Sequence, residues 1–130
     1  MATISKNWAS QSQIIGSGDA YVTLSGTTES FSSDVDLETN GYEGAHVTVE
    51  MNYDSSPTDE VEISIYGSLD GSNYDDTPIW TMQGDHDIDP QQLSFIVKDL
   101  AHFRIGVKQT GSTDSHNVRA YVQCWNYTSA

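Results

Sequence analysis

The sequence predicts an all-β fold, an eight-stranded antiparallel β-sandwich of the jelly-roll or Greek-key type. Three observations predict it. Apolar and polar residues alternate through several short segments, turn-forming residues separate these segments every 8–14 residues, and no segment has a helical period. A length of 130 residues allows one core, and a hydrophobic share of 36% suits a sandwich, whose strands bury alternate residues only.

Eight segments are predicted as strands, and the third has the most regular alternation. Val47, Val49 and Met51 point to one side there, with Thr48 and Glu50 on the other. In the last strand Cys124 falls in the apolar phase, so we expect a buried residue. The predicted strands cover residues 21–25, 31–37, 45–53, 60–66, 77–82, 93–97, 102–109 and 118–127.

The fourth and fifth strands are predicted to form a central hairpin. Val61, Ile63 and Ile65 alternate with polar residues up to the segment Ser68-Leu69-Asp70-Gly71-Ser72-Asn73. Asp-Gly supplies the positive φ that a chain reversal requires. A buried strand therefore leads into a turn and then into a second strand around residues 77–82.

Residues 1–18 are predicted to form an extended N-terminal arm, followed by a single β-sandwich domain over residues 19–130. The arm is rich in Ser and Gln and has neither strand nor helical periodicity. Its apolar residues, Ile4, Trp8, Ile14 and Ile15, are predicted to serve as anchors that order on assembly. The alternative is a disordered terminus.

The net charge of −14 argues against binding to nucleic acids and to anionic membranes. The charge is uneven, since residues 1–97 hold 17 acidic residues and one basic residue, whereas residues 98–130 hold four basic and two acidic residues. We therefore expect one strongly acidic surface and one nearly neutral surface. With one cysteine, no signal peptide and no apolar run of membrane-spanning length, the sequence predicts a soluble protein made in a cytoplasm.

The sequence contains no set of residues typical of an enzyme, and we predict neither catalysis nor a cofactor. The four histidines are far apart, the single cysteine reads as core, and no nucleophile motif is present. Asp85, Asp87 and Asp89 alternate in one acidic segment and are candidate Ca²⁺ ligands, although their spacing is not that of an EF-hand. The alternative is a solvated loop whose aspartates form local turns.

Several large side chains fall on the side of their strands opposite the aliphatic residues. Aromatic residues on such a face indicate a binding surface or a subunit interface, unless these strands are buried on both faces. Together with the arm, they give a predicted set of partner-binding residues. That set is Trp8, Ile14, Ile15, Tyr66, Trp80, Arg104, Arg119, Tyr121, Trp125 and Tyr127.

The segment from Ile65 through Gly67-Ser68-Leu69-Asp70-Gly71 to Tyr74 resembles a motif of small head proteins of tailed bacteriophages. The polar arm and the acidic β domain are also similar to such proteins. The resemblance implies a capsid decoration (cement) protein on the virion exterior. Its partner would be the major capsid protein, and its oligomeric state a homotrimer. A tail or baseplate component would share nearly all of these features.

The same hairpin also resembles the Ser-x-Asp-Gly-x-x-Trp hairpin of discoidin-type carbohydrate-binding modules, with Tyr74 in place of the tryptophan. This second resemblance implies sugar binding. It would make Tyr66, Trp80 and Trp125 stacking platforms, with a structural Ca²⁺ in the segment 85–89.

Overall fold

The computed structural model describes residues 4–129, which form eleven β-strands and no helix. No segment of this range is therefore a helix that could cross a membrane. The strands are β1 (Ile4–Trp8), β2 (Ser12–Ile15), β3 (Val22–Thr23), β4 (Ser30–Phe31), β5 (Val35–Asp36), β6 (Gly44–Asn52), β7 (Val61–Ser68), β8 (Trp80–Gln83), β9 (Gln91–Lys98), β10 (His102–Gln109) and β11 (Asn117–Ser129).

The strands form two antiparallel sheets. In the first sheet the order is β1-β11-β6-β9, and β2 and β3 pair with β11 along the same edge as β1. In the second sheet the order is β4-β10-β7-β8, with β5 also paired to β10. The predicted all-β sandwich is confirmed, and so is the central hairpin, because β7 pairs with β8 from Glu62↔Gln83 to Ile65↔Trp80.

The core lies between the two sheets and consists of the alternate residues that the sequence predicts. Cys124 is buried and not disulfide-bonded, as expected. Each strand directs about every second side chain inward, and the inward side chains of both sheets form one apolar cluster. Core residues with no measurable exposure include Val47, Val49, Met51, Val61, Ile63, Phe103, Ile105 and Val107.

The predicted second strand is divided into β4 and β5, which changes the direction of one side chain. The Ser32 N–H donates to the carbonyl of Ile105, and the Ile105 N–H donates to the Ser32 hydroxyl at 2.9 Å. The Ser32 hydroxyl thus takes the place of a backbone carbonyl as the acceptor for Ile105. The alternation of inward and outward side chains shifts by one residue at this point. Strict alternation over the predicted strand 31–37 would place Phe31 and Val35 on the same side, but Val35 is buried and Phe31 is 44% exposed.

The N-terminal arm is part of the first sheet. Residues 4–8 and 12–15 are strands paired with β11, whereas residues 1–3 lie outside the described residues. Ile14 and Ile15 are buried in the core, so the expectation that they order only on assembly is wrong. They fall in the core because β2 lies against the middle of β11.

A buried polar network closes one end of the sandwich. The Asp114 carboxylate accepts hydrogen bonds from the backbone N–H groups of Thr58 (2.8 Å) and Asp59 (2.7 Å), which hold its pKa below the usual range. His116, fully buried, lies 2.8 Å from the carbonyl of Asp59 and accepts from the Asp54 N–H at 3.0 Å. The network therefore joins the β6–β7 loop to the β10–β11 loop.

Candidate functional site

The ten residues predicted to bind partners do not form a single site. Ile14 and Ile15 belong to the core, and the others are distributed over three surfaces. Trp80 lies where one edge of the second sheet, β8, meets one edge of the first, β9. Tyr66 and Arg104 lie on the outer face of the second sheet. The outer face of the first sheet carries Trp8, Arg119, Tyr121, Trp125 and Tyr127.

The first surface is an apolar groove between the edge strands β8 and β9. Each of these strands pairs with only one neighbour, β7 and β6 respectively. The Trp80 ring packs against Phe95 with centroids 5.5 Å apart, and Trp80 remains 41% exposed. The groove encloses about 610 Å³. We call it the edge groove, lined by Ile65, Ile79, Trp80, Phe95, Ile96, Val97, Lys98, Asp99 and Leu100.

Sequence patterns identify Trp80 but miss most of the edge groove. Ile79 and Ile96 are exposed, and both line the edge groove, which lies between the edge strands β8 and β9. Ile96 was detectable as an apolar residue in a polar phase of β9. Its neighbours across the groove depend on the sheet order, which no local pattern contains.

The second surface, on the outer face of the second sheet, is a stack of aromatic rings around Arg104. The Arg104 guanidinium lies between the rings of Phe31 (3.8 Å) and Tyr74 (4.1 Å). Tyr66 packs edge-on against Phe31 and donates its hydroxyl hydrogen to Glu29, at 2.9 Å from Oε2. Burial, followed by the bond to Glu29, raises the pKa of Tyr66. Tyr66 is only 9% exposed, so its predicted accessibility is wrong, because Phe31 faces outward and covers it.

The hairpin segment that carries the family resemblances is held by bonds within the loop. Asp70 Oδ1 accepts from the N–H groups of Ser72 (2.9 Å) and Asn73 (2.8 Å), which lower the pKa of Asp70. Ser68 Oγ accepts from the Gly71 N–H at 2.9 Å, and Gly71 has a φ of 78°. The motif residues thus fix the loop, and Tyr74 at its end contacts Arg104.

The third surface is the outer face of the first sheet, where side chains of β11, β6 and β9 form rows. Cross-strand pairing aligns Arg119 with Glu50, Tyr121 with Thr48, and Gln123 with His46. The rows enclose a shallow groove of about 370 Å³. We call it the face groove, lined by Gln11, His46, Thr48, Glu50, Gln92, Arg119, Tyr121, Val122 and Gln123.

Two tryptophans lie beside the face groove. Trp8 is 46% exposed and packs on Trp125 with centroids 5.3 Å apart and on His46 at 6.5 Å. Trp125 lies on the outer face of β11, as predicted, but it is only 5% exposed, so its predicted accessibility is wrong. Its ring lies over Gly44, where a Cβ would approach Cζ2 to 2.6 Å, and Lys6 Nζ lies 4.4 Å from its centroid. Gly44, Trp8 and Lys6 together remove Trp125 from solvent.

The charged residues of the face groove are bound to each other. Arg119 Nε donates to Glu50, and Arg119 Nη1 donates to the carbonyl of Asp19 at 2.5 Å. The bond to Glu50 raises the pKa of Arg119. The Tyr121 hydroxyl donates to Asp19 Oδ1 at 2.6 Å, and this bond raises the pKa of Tyr121. Among residues 4–129, the one Lys or Arg that lines the groove is therefore already paired.

The acidic segment 85–89 does not gather its carboxylates. Asp85 Oδ1 accepts from the Asp87 N–H at 2.9 Å, and Asp89 Oδ1 accepts from the Tyr53 N–H at 3.1 Å. Among residues 4–129 no three His, Cys, Asp or Glu side chains are grouped so as to hold a metal ion. Asp85 makes the local turn contact of the alternative interpretation, whereas Asp89 binds the backbone of Tyr53, far away in the sequence.

The comparisons with known proteins give structural likenesses only. No protein-family model matches the chain, and no curated protein matches it. A mitogen from Yersinia pseudotuberculosis has a TM-score of 0.45 at 10% identity, with 97% of this chain and 86% of that chain covered. A pilus protein of Bacillus endospore appendages has a TM-score of 0.46 at 12% identity, with 97% and 90% covered. Neither likeness carries an inference about function.

Proposed function

We propose that this protein is a noncatalytic structural protein of a virion, a decoration (cement) protein that binds the outer surface of a capsid and stabilises the head. The observation that carries the proposal is the edge groove, an exposed apolar surface in a chain whose net charge is −14. Exposed apolar patches of this kind mark sites of protein association. The resemblance of the hairpin segment to phage head proteins gives the class of assembly.

We also propose that the sandwich is an eight-row jelly roll. β1, β2 and β3 follow one another along β11, and β4 and β5 do the same along β10, which supports counting each set as one row. Numbered along the chain, the rows then have the order 1-8-3-6 in the first sheet and 2-7-4-5 in the second. This is the order of two interleaved Greek keys.

The edge groove is the proposed contact between copies of the chain in a homotrimer. Copies with a charge of −14 repel one another, so they associate most readily where the local charge is small. The groove contains one Lys and one Asp, Lys98 and Asp99, and its other lining residues are apolar. The edges of β8 and β9 also offer backbone groups for pairing or for cover by a neighbour.

The proposed contact with the capsid is a two-stranded ribbon formed by residues 4–7 and 126–129. Beyond Trp125, β11 pairs with β1 alone, and every residue of β1 is exposed. Ile4 is 71% exposed, and Tyr127 is also exposed. Lys6 is the charged residue of the ribbon, which contrasts with the acidic remainder of the chain. This ribbon takes the role that the sequence assigns to the arm.

Light scattering combined with capsid binding tests both contacts. We expect the wild type to have a mass near three times 14.3 kDa, and Ile96→Asp to be a monomer, because the substitution places a charge in the edge groove. Leu69→Asp, in the exposed hairpin loop, is the matched control and should remain trimeric. Ile4→Asp combined with Tyr127→Asp should remain trimeric and lose capsid affinity.

Two results would contradict the proposal. A wild type that is monomeric both in solution and on the capsid would exclude the homotrimer. Unchanged capsid affinity in the Ile4→Asp, Tyr127→Asp variant would exclude the ribbon as the capsid contact. Binding to isolated tails in preference to heads would favour the related tail or baseplate role.

A further inference from the structure

We infer that the face groove on the first sheet is a binding site for a neutral oligosaccharide. This inference is independent of the proposed capsid role, because the face groove shares no lining residue with the edge groove or with the ribbon of residues 4–7 and 126–129. It also differs from the site implied by the discoidin resemblance. Tyr66 and Trp125 are buried within the chain and cannot serve as stacking platforms for a sugar.

The polar groups of the face groove match a ligand with many hydroxyl groups. Hydroxyls both donate and accept hydrogen bonds, and amides, imidazole and hydroxyl side chains offer both functions. The Gln11 and Gln92 amides make no side-chain hydrogen bond to any of residues 4–129. His46 has one such contact, at 3.4 Å to Thr48, so its ring can engage a ligand. Gln123 donates its amide to the carbonyl of Ala9, which leaves its own oxygen to accept.

Aromatic rings beside these polar groups suit the apolar face of a sugar ring. Trp8 borders the groove at His46 and exposes nearly half of its surface. Tyr121 lines the groove, and its hydroxyl is fixed by Asp19. Rigid aromatic rings contribute contact area at low cost in conformational entropy. The volume of about 370 Å³ lies within the range of small-molecule sites.

Charge and geometry disfavour the other classes of ligand. Glu50 and Arg119 are ion-paired, so the groove is nearly neutral and attracts neither a polyanion nor a polycation. A peptide strand would need a free sheet edge, but the groove lies on a sheet face where the backbone groups of β6 pair on both sides. A neutral ligand that is rich in hydroxyl groups and has one apolar face requires neither a charged groove nor a free sheet edge.

The test is titration of the full chain with a panel of neutral hexasaccharides. The panel contains the hexasaccharides of glucose, N-acetylglucosamine, mannose, galactose and xylose. A polyuronate serves as the anionic comparison. Calorimetry gives the affinity, and amide chemical shifts locate the site. We expect at least one neutral saccharide to bind at millimolar concentration or below and to shift the resonances of His46, Gln92 and Tyr121.

Variants separate the face groove from other surfaces. His46→Ala and Gln92→Ala should each weaken binding about 5- to 10-fold, the effect of one lost hydrogen bond, and Trp8→Ala about tenfold. Gln83→Ala, exposed on β8, and Phe31→Ala, about as exposed as Trp8, are the matched controls and should bind as the wild type.

Three results would overturn the inference: no neutral saccharide of the panel binds, binding is unaffected in His46→Ala and Gln92→Ala, or the polyuronate binds more tightly. None of these three results would bear on the proposed capsid role, which is tested separately. Gln92→Ala is expected to leave capsid affinity unchanged, and the Ile96→Asp monomer is expected to bind the saccharide.

Discussion

Asp34 joins the hairpin loop to the second sheet. Its Oδ1 accepts a hydrogen bond from the Tyr74 hydroxyl at 2.6 Å, and its Oδ2 lies 2.8 Å from Nδ1 of His102. Asp36 and Glu38 lie within 4 Å of the other ring nitrogen. The bond to Asp34 is the main cause of the raised pKa of His102, and the charges of all three carboxylates add to it.

This raised pKa predicts how stability depends on pH. A histidine whose pKa is higher in the folded than in the unfolded state contributes its full stabilisation below the unfolded value, near 6.5, and loses it as pH rises through the folded value. The free energy of unfolding should therefore fall as pH rises above 6.5. Asp34→Asn should reduce this dependence, measured by urea unfolding across a pH series.

Asp76→Asn, at an exposed loop position, is the control and should keep the pH dependence of the wild type. An Asp34→Asn variant with the full wild-type dependence would show that His102 is stabilised by other groups.

Single residues also show what a sequence pattern can and cannot reveal. Alternation assigns Tyr66 and Trp125 correctly to the outer faces of their strands. It does not reveal that Phe31 covers Tyr66, because that depends on an irregularity at Ser32. Nor does it reveal that Trp8 covers Trp125, because these residues are paired across the whole length of the chain.

Among the elements, β1 and β2 differ in what they contribute to the first sheet. β1 is exposed along its whole length, whereas β2 ends in the two core residues Ile14 and Ile15. The sequence predicts one arm because residues 1–18 as a whole are polar and neither segment is long enough to show a strand period. β1 and β2 differ because they pair with different parts of β11. β1 pairs with residues 125–129, and β2 pairs with residues 120–122.

Two deletions should therefore have unequal effects. Removal of residues 2–8 should leave a folded domain. Removal of residues 2–15 should cost a further ~3–6 kcal/mol in the free energy of unfolding, since burial of each isoleucine side chain contributes roughly 1.5–3 kcal/mol. Urea unfolding of both variants measures the difference. Equal stability of the two would show that β2 does not contribute to the core in solution.

The elements from β6 onward were more predictable than those before it. Except for β8, which has four residues, these strands are at least eight residues long, so the period identifies each strand and its buried face. β3, β4 and β5 have two residues each, too few to establish a period. The sheet order, and with it both grooves, required contacts between segments far apart in sequence.

At the scale of the whole molecule, the charge of −14 should make self-association depend on salt. Salt shortens the range of repulsion between copies, from a Debye length of about 30 Å at 0.01 M to about 10 Å at 0.1 M. We expect the trimer to become more stable as NaCl is raised over this range, measured by light scattering at several protein concentrations.

The Ile96→Asp variant is the control for this experiment and should remain monomeric at every salt concentration. Dissociation of the wild type on addition of salt would mean that ion pairs, rather than the apolar edge groove, hold the copies together.

The strand pairing also constrains when the chain can fold during its synthesis. β1, β2 and β3 pair with β11, and β4 and β5 pair with β10, so the five earliest strands find their partners among the last two. The ribosome must release nearly the whole chain before these pairs can form, and such nonlocal pairing slows folding. Until then the apolar residues of β2 have no core to enter. This is the period in which the nascent protein is most open to chaperones and to aggregation.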